Sequence, residues 1–108
     1  MSFKMRLSKR RGMPVLRIRG DLTGENIAKV MAKLDFLRKG KASTIVIDMG
    51  ETTFIDSHGL GVFVYCWRLL EQEDRRMVFL KPQGFIRSML LGTNLDKIFS
   101  VVDSEEDI

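Results

Sequence analysis

The sequence predicts an α/β fold: a mixed, mostly parallel β-sheet with an amino-terminal hairpin and helices packed on it. Two observations carry this. Two stretches of alternating polarity, Phe3–Leu7 and Val15–Arg19, lie close enough in the chain to pair as a hairpin. After them, short unbroken apolar runs at Thr44–Met49 and Met77–Leu80 alternate with longer segments of helical periodicity. That is the pattern of a parallel sheet built from strand–helix units, whose crossovers should be right-handed. With 108 residues, 44% of them apolar and 30% charged, the chain suits one globular domain over residues 1–108 with its own core.

Taken in order, Phe3-Lys4-Met5-Arg6-Leu7 puts apolar residues on one face and cations on the other, as in a half-buried strand. Ser8–Gly12 reads as a polar, basic turn. In Val15–Arg19, Leu16 and Ile18 point inward and Arg17 and Arg19 outward. Pro14 donates no ladder hydrogen bond, so it marks an edge or a strand start. The Lys/Arg decoration discourages pairing with other chains.

Gly20–Gly24 reads as a turn, with Thr23 the candidate N-cap of a first helix. Ile27, Val30, Met31, Leu34 and Leu37 share one face of that helix and Gly40 is its stop. Thr44–Met49 is a buried central strand and Asp48–Thr53 a loop. Next, Val62-Phe63-Val64-Tyr65 favours strand by composition. Yet Leu60, Phe63, Val64, Trp67 and Leu70 keep helical spacing, and the polar break comes only at Glu71–Arg76. Length therefore decides for a helix over Ser57–Glu73. It is apolar nearly all round, so it should pack deeply with one side open to a partner. Met77–Leu80 is another buried strand. Pro82 opens a third helix at its favoured first turn, with Phe85, Ile86, Met89 and Leu90 inward and Gly92 at its end. Ile98–Val102 is the last strand and Asp103–Ile108 an acidic stub.

Composition excludes several functions. The single cysteine, Cys66, rules out an intrachain disulfide or a cysteine metal cluster, and its apolar surroundings favour inert packing. Phe3–Met13 has no hydrophobic signal core, and the apolar run Val62–Trp67 falls far short of the roughly 20 residues a membrane span needs. A cytoplasmic setting is expected. The first 41 residues hold twelve Lys/Arg against three acids, and the remainder six against eleven. A basic half fits nucleic acid or an acidic membrane surface, but a solvated edge strand and helix face is the plainer reading. No aromatics interleave with the cations, as a single-strand binder requires.

The most informative stretch is Phe54-Ile55-Asp56-Ser57-His58-Gly59-Leu60-Gly61. Asp56 and Ser57 are N-cap types. Gly59 and Gly61 each cost a helix about 0.8–1 kcal/mol relative to Ala, and access for another molecule to the backbone and the Ser57 hydroxyl would justify them. Catalytic readings fare poorly. His58 is the only histidine and has no i, i+4 ligand partner, so neither metal nor cofactor is expected. Adjacent Ser57 and His58 diverge at a helix start. Gly59-Leu60-Gly61 lacks the third glycine and the lysine of nucleotide loops. Asp48 and Asp56 read as loop caps. The chain therefore reads as a binding module and not an enzyme.

The octapeptide, its mid-chain position and the upstream Gly20-Asp21-Leu22 turn resemble the STAS family, specifically the stand-alone anti-sigma factor antagonists of bacteria, over about Met13 to Val102. The resemblance implies a STAS-like domain acting as a phosphoprotein in partner-switching control of transcription. It places the phosphorylation site on Ser57 and a docking face on Asp21, Leu22, Thr23, Asp56, Ser57, His58, Gly59, Leu60 and Gly61. It implies that the unphosphorylated form binds an anti-sigma factor that is itself a serine protein kinase. Phosphorylation releases that partner, and a metal-dependent serine phosphatase reverses the mark. Neither nucleic acid nor membrane is an implied partner. His58 stands where a second serine is common, and Thr23 where an aspartate commonly follows Gly-x-Leu. The alternative is a STAS subunit of a transporter or lipid-trafficking complex in which Ser57 is only structural. Nucleic-acid or nucleotide binding is the reading from outside the family.

Overall fold

A computed structural model describes residues 2–108. Five strands form one sheet in the order β1 (Lys4–Arg10), β2 (Met13–Leu22), β3 (Thr44–Ile55), β4 (Arg76–Leu80) and β5 (Ser100–Val102). β1 and β2 are antiparallel and every later neighbour is parallel, the mixed sheet expected from a hairpin followed by strand–helix units. Helices α1 (Glu25–Lys39), α2 (Ser57–Gln72) and α3 (Gly84–Gly92) complete the domain, with short 3-10 turns at Leu95–Lys97 and Glu105–Asp107.

Side chains alternate across a strand, and that alternation builds two apolar layers. Leu16, Ile18, Ile45, Ile47, Met77 and Phe79 face the helices and meet Val30, Leu34 and Leu37 of α1, Phe63, Cys66 and Leu70 of α2, and Ile86 and Leu90 of α3. Phe79 packs edge-on to Phe63 and tilted against Phe99, at ring separations of 5.2 and 4.6 Å. On the opposite face Val15, Val46 and Leu80 are buried with Met13, Val102 and Ile108 packed on them. The acidic stub thus turns back across the sheet, where Glu105 pairs with Arg10. Cover on both faces explains why β3 reads as an unbroken apolar run.

Several boundaries depart from the sequence reading, each for a backbone reason. β1 continues through Ser8–Arg10 because the hairpin turn is only Arg11-Gly12, both at positive φ (52° and 79°), a geometry that matches strand twist. β2 runs to Leu22 and β3 to Ile55, so Gly20–Leu22 and Gly50–Thr53 are strand where turn and loop were expected. Register shifts beside Arg17/Arg19 and Gly20/Asp21 let the two strands stay paired, and Thr52 Oγ1 donates to the Ile18 carbonyl at 2.7 Å. Gly20 sits at φ 95° with a Cβ position only 3.2 Å from Phe3 Cα and Ser2 O, a conformation and a contact suited to glycine.

Thr23 is not the cap of α1. Gly24 occupies that position without a side-chain bond, and the Thr23 carbonyl accepts from Asn26 N at 3.1 Å. Met31, expected inward, is exposed. Pro82 lies outside α3, whose N-cap is Gln83; Phe85, expected inward, is half exposed. The last strand is shorter than expected because Ile98 N and Phe99 N both donate to the Leu95 carbonyl, at 3.0 and 2.8 Å, and so belong to the preceding turn.

Candidate functional site

The carboxyl ends of β2 and β3 lie side by side, with Asp21 opposite Phe54 and Leu22 opposite Ile55. This pairing brings Asp21–Thr23 beside the start of α2, thirty-odd residues later in the chain. Thr53 Oγ1 donates to Asp21 Oδ1 at 2.5 Å, and Asn26 Nδ2 donates to the Asp21 carbonyl at 3.1 Å, so this edge is tied to both β3 and α1. Asp56 N donates weakly to the Leu22 carbonyl at 3.5 Å as the chain turns into α2.

Asp56 is the N-cap. Its Oδ1 accepts from Gly59 N at 2.9 Å, and its carbonyl accepts the first helical bond from Leu60 N at 3.0 Å. Ser57 is therefore the first helical residue and not itself the cap. It is exposed, as is His58. The first-turn N–H groups and the positive end of the helix dipole face the same side of the molecule, and both favour negative charge.

The two glycines differ in kind. Gly61 is exposed, and a Cβ there would meet nothing within 4 Å. It lies one turn beyond Ser57, at an open position on the surface of α2. Gly59 is buried, with its Cβ position 2.9 Å from the Leu22 carbonyl and 3.0 Å from Ile55 Cγ2. Its purpose is to let α2 sit on the strand ends, which corrects the access reading for this position. Leu22 is wholly buried too. These two residues shape the site from beneath and offer no side-chain surface. Asp21, Ser57, His58 and Gly61 are exposed, and Thr23, Asp56 and Leu60 are half-buried.

Beyond Ser57 the outward side of α2 is a shallow groove of about 420 Å³ lined by Ser57, Leu60, Gly61, Val64, Tyr65 and Arg68. The sequence shows the helical spacing of this groove but carries no signal that marks Tyr65 or Arg68. A second surface feature carries no sequence signal. Phe54 and Phe85 are stacked at 5.0 Å and both stand partly in solvent. Cys66, on the inner side of α2, is buried, and desolvation pushes its thiol up to about 11 despite the opposing charge of Arg38. Among the described residues, no group of three or more His, Cys, Asp or Glu is placed to hold a metal ion. No described helix is long and apolar enough to cross a membrane.

These features define a small α/β domain, one end of which is built from two strand termini and one helix start. The chain belongs to the STAS domain family, whose model matches residues 4–108. It is 24% identical over 106 residues to an anti-sigma F factor antagonist of Paenibacillus polymyxa, covering 97% of this chain and 91% of that one. Its fold is similar to that of an anti-sigma factor antagonist from Mycobacterium paratuberculosis (TM-score 0.87, 20% identity, 98% of this chain and 90% of that one). It is also similar to that of the Bacillus cell fate determinant SpoIIAA in its phosphorylated form (TM-score 0.73, 24% identity, 98% of this chain and 96% of that one).

Proposed function

We propose that this chain is a phospho-regulated anti-sigma factor antagonist. Its unphosphorylated form docks on an anti-sigma factor that is a serine kinase, phosphorylation of Ser57 releases it, and a metal-dependent serine phosphatase restores it. The observation that carries the reading is the exposed Ser57 hydroxyl at the first position of α2, beside the bare Gly61 and the groove along Leu60, Val64 and Tyr65. The relatives, anti-sigma factor antagonists in each case, support the same class, and a phosphorylated form is known for SpoIIAA.

The physics of the switch is local. A phosphoserine adds about −1.5 to −2 charges and three acceptor oxygens, at a helix end that tolerates an anion. The fold should change little. A docked partner would meet that charge beside the Asp56 carboxylate. An acidic group of the partner held about 4 Å from the phosphate would cost about 4 kcal/mol at an effective dielectric of about 20, which is about a thousandfold in affinity.

Incubation with the cognate kinase followed by mass spectrometry should find the phosphate on Ser57; label only elsewhere would refute the assignment. Ser57→Asp should fold normally and lose the partner, whereas equal binding by both forms would leave no switch.

A further inference from the structure

We propose that the outer face of the β1–β2 hairpin is an anion site for a phosphate monoester, formed by Lys4, Arg6, Arg17 and Arg19. The hairpin register sets Lys4 opposite Arg19 and Arg6 opposite Arg17. Directly opposed residues have Cβ atoms about 4.5–5.5 Å apart, and like charges there destabilise a sheet. Residues two apart along a strand follow at about 6.6 Å on the same face. The result is a square of four cationic side chains with their Cβ positions fixed by the strand pairing, lining a groove of about 400 Å³ together with Met5 and Glu51.

Protection of a sheet edge does not account for this square. That device needs cations on β1, which is the edge strand. Arg17 and Arg19 lie on β2, which is paired on both sides, so they guard nothing. Neutralisation within the chain is incomplete as well. Arg17 Nε reaches Asp48 at 3.2 Å, Arg17 Nη1 reaches Glu51 at 4.0 Å, and Arg19 Nε reaches Glu51 at 3.5 Å. Among the described residues Lys4 and Arg6 have no acidic partner within 4.0 Å.

Four cations against Asp48 and Glu51 leave a surplus of two, which matches the charge of about −1.5 to −2 on a phosphate monoester. The guanidinium forks suit its oxygens in geometry as well as charge. The chain already holds one anion on this face, since Glu105 of the acidic stub pairs with Arg10. That contact lies at the turn end of the hairpin, where Arg10 is opposite Met13, and leaves the square open. The monoester belongs either to a soluble metabolite or to a lipid headgroup.

Backbone amide NMR of the full chain, titrated with glycerol 3-phosphate, tests this. Saturable shifts should centre on Lys4, Arg6, Arg17 and Arg19, and the double variant Lys4→Gln/Arg6→Gln should weaken them by about tenfold or more. Arg6→Gln alone provides a second variant, and both should unfold at or above the wild-type urea midpoint because opposed like charges are relieved. A parallel arm uses flotation with phosphatidylcholine vesicles containing phosphatidic acid, or phosphatidylglycerol at equal charge. Response to the free ester alone assigns the site to a soluble ligand, and response to phosphatidic acid vesicles alone assigns it to a headgroup. No response in either arm, shifts confined to the start of α2, equal binding to phosphatidylglycerol, or unchanged binding by the variants would overturn the proposal.

Discussion

Alanine at Gly59 and alanine at Gly61 should move the stability of this fold in opposite directions. Both positions lie in the first turns of α2, where replacing glycine by alanine gains about 0.8–1 kcal/mol of helix propensity. At Gly61 the new methyl meets nothing within 4 Å, so the gain is kept. At Gly59 it would stand 2.9 Å from the Leu22 carbonyl oxygen, 3.0 Å from Ile55 Cγ2 and 3.1 Å from Leu22 Cγ. Carbon atoms settle at about 3.5–4.0 Å. The obstructing carbonyl cannot swing aside cheaply, because Leu22 is held in register with Ile55 at the strand end. Overpacking of this kind costs about 1–3 kcal/mol. Propensity is common to both variants and cancels, so their difference is the overpacking cost alone. Urea unfolding followed by circular dichroism measures it, provided the m-values agree; in a thermal melt each kcal/mol is worth about 4–8 °C. Equal midpoints, or a more stable Gly59→Ala, would refute the distinction between a glycine required by packing and one at an open position.

Three further outcomes follow from single contacts. Asp56→Ala removes the acceptor for Gly59 N and should cost about 1 kcal/mol, while Asp56→Asn should cost much less; matching urea midpoints for alanine and wild type would deny the cap. Arg75 donates from Nε to the Ala42 carbonyl at 2.8 Å and from Nη1 to the Arg38 carbonyl at 2.7 Å, pinning the last turn of α1. Arg75→Ala should therefore lose about 1.5–3 kcal/mol, with Arg75→Lys between, and a lysine variant as stable as wild type would contradict the fork. The Cys66 thiol, raised by burial from 9.0 to about 11, keeps its proton in the folded state over a range where the unfolded chain loses it. Its contribution is full below pH 9 and is lost as pH rises through 11, at most about 3 kcal/mol. The stability difference between wild type and Cys66→Ala should shrink over that window, and parallel curves would exclude it.

The parts of the fold legible in the sequence are those where burial pattern and period agree. The unbroken apolar run of β3 and the helical spacing from Leu60 to Leu70 each had one reading once length was weighed. What was not legible depended on partners distant in sequence. Gly50–Thr53 looks like a loop until β2 supplies a bulged neighbour and the Ile18 carbonyl for Thr52. Phe85 looks inward on an isolated helix, and only the placement of α3 beside β3 turns it onto Phe54 at the surface. At the candidate site the sequence marked Asp56 and Ser57 by residue type. It could not separate Gly59 from Gly61, because the difference lies in a carbonyl of another strand.

The same anchoring bears on how a phosphate at Ser57 would act. α2 is held by the Asp56 cap, by the seat of Gly59 on Leu22, and by Phe63, Cys66 and Leu70 in the core. None of these contacts uses the Ser57 side chain, so an added anion there has nothing to unlock. Negative charge at a helix start is favourable by about 0.3–1 kcal/mol, although part of that is offset by the neighbouring Asp56. On the proposed reading the phosphorylated protein should unfold at the same urea concentration as the unmodified one, or slightly higher, while its partner affinity collapses. A phosphoprotein that lost both stability and binding would instead mean that the modification rearranges the helix start, and repulsion on a rigid scaffold would no longer explain the release.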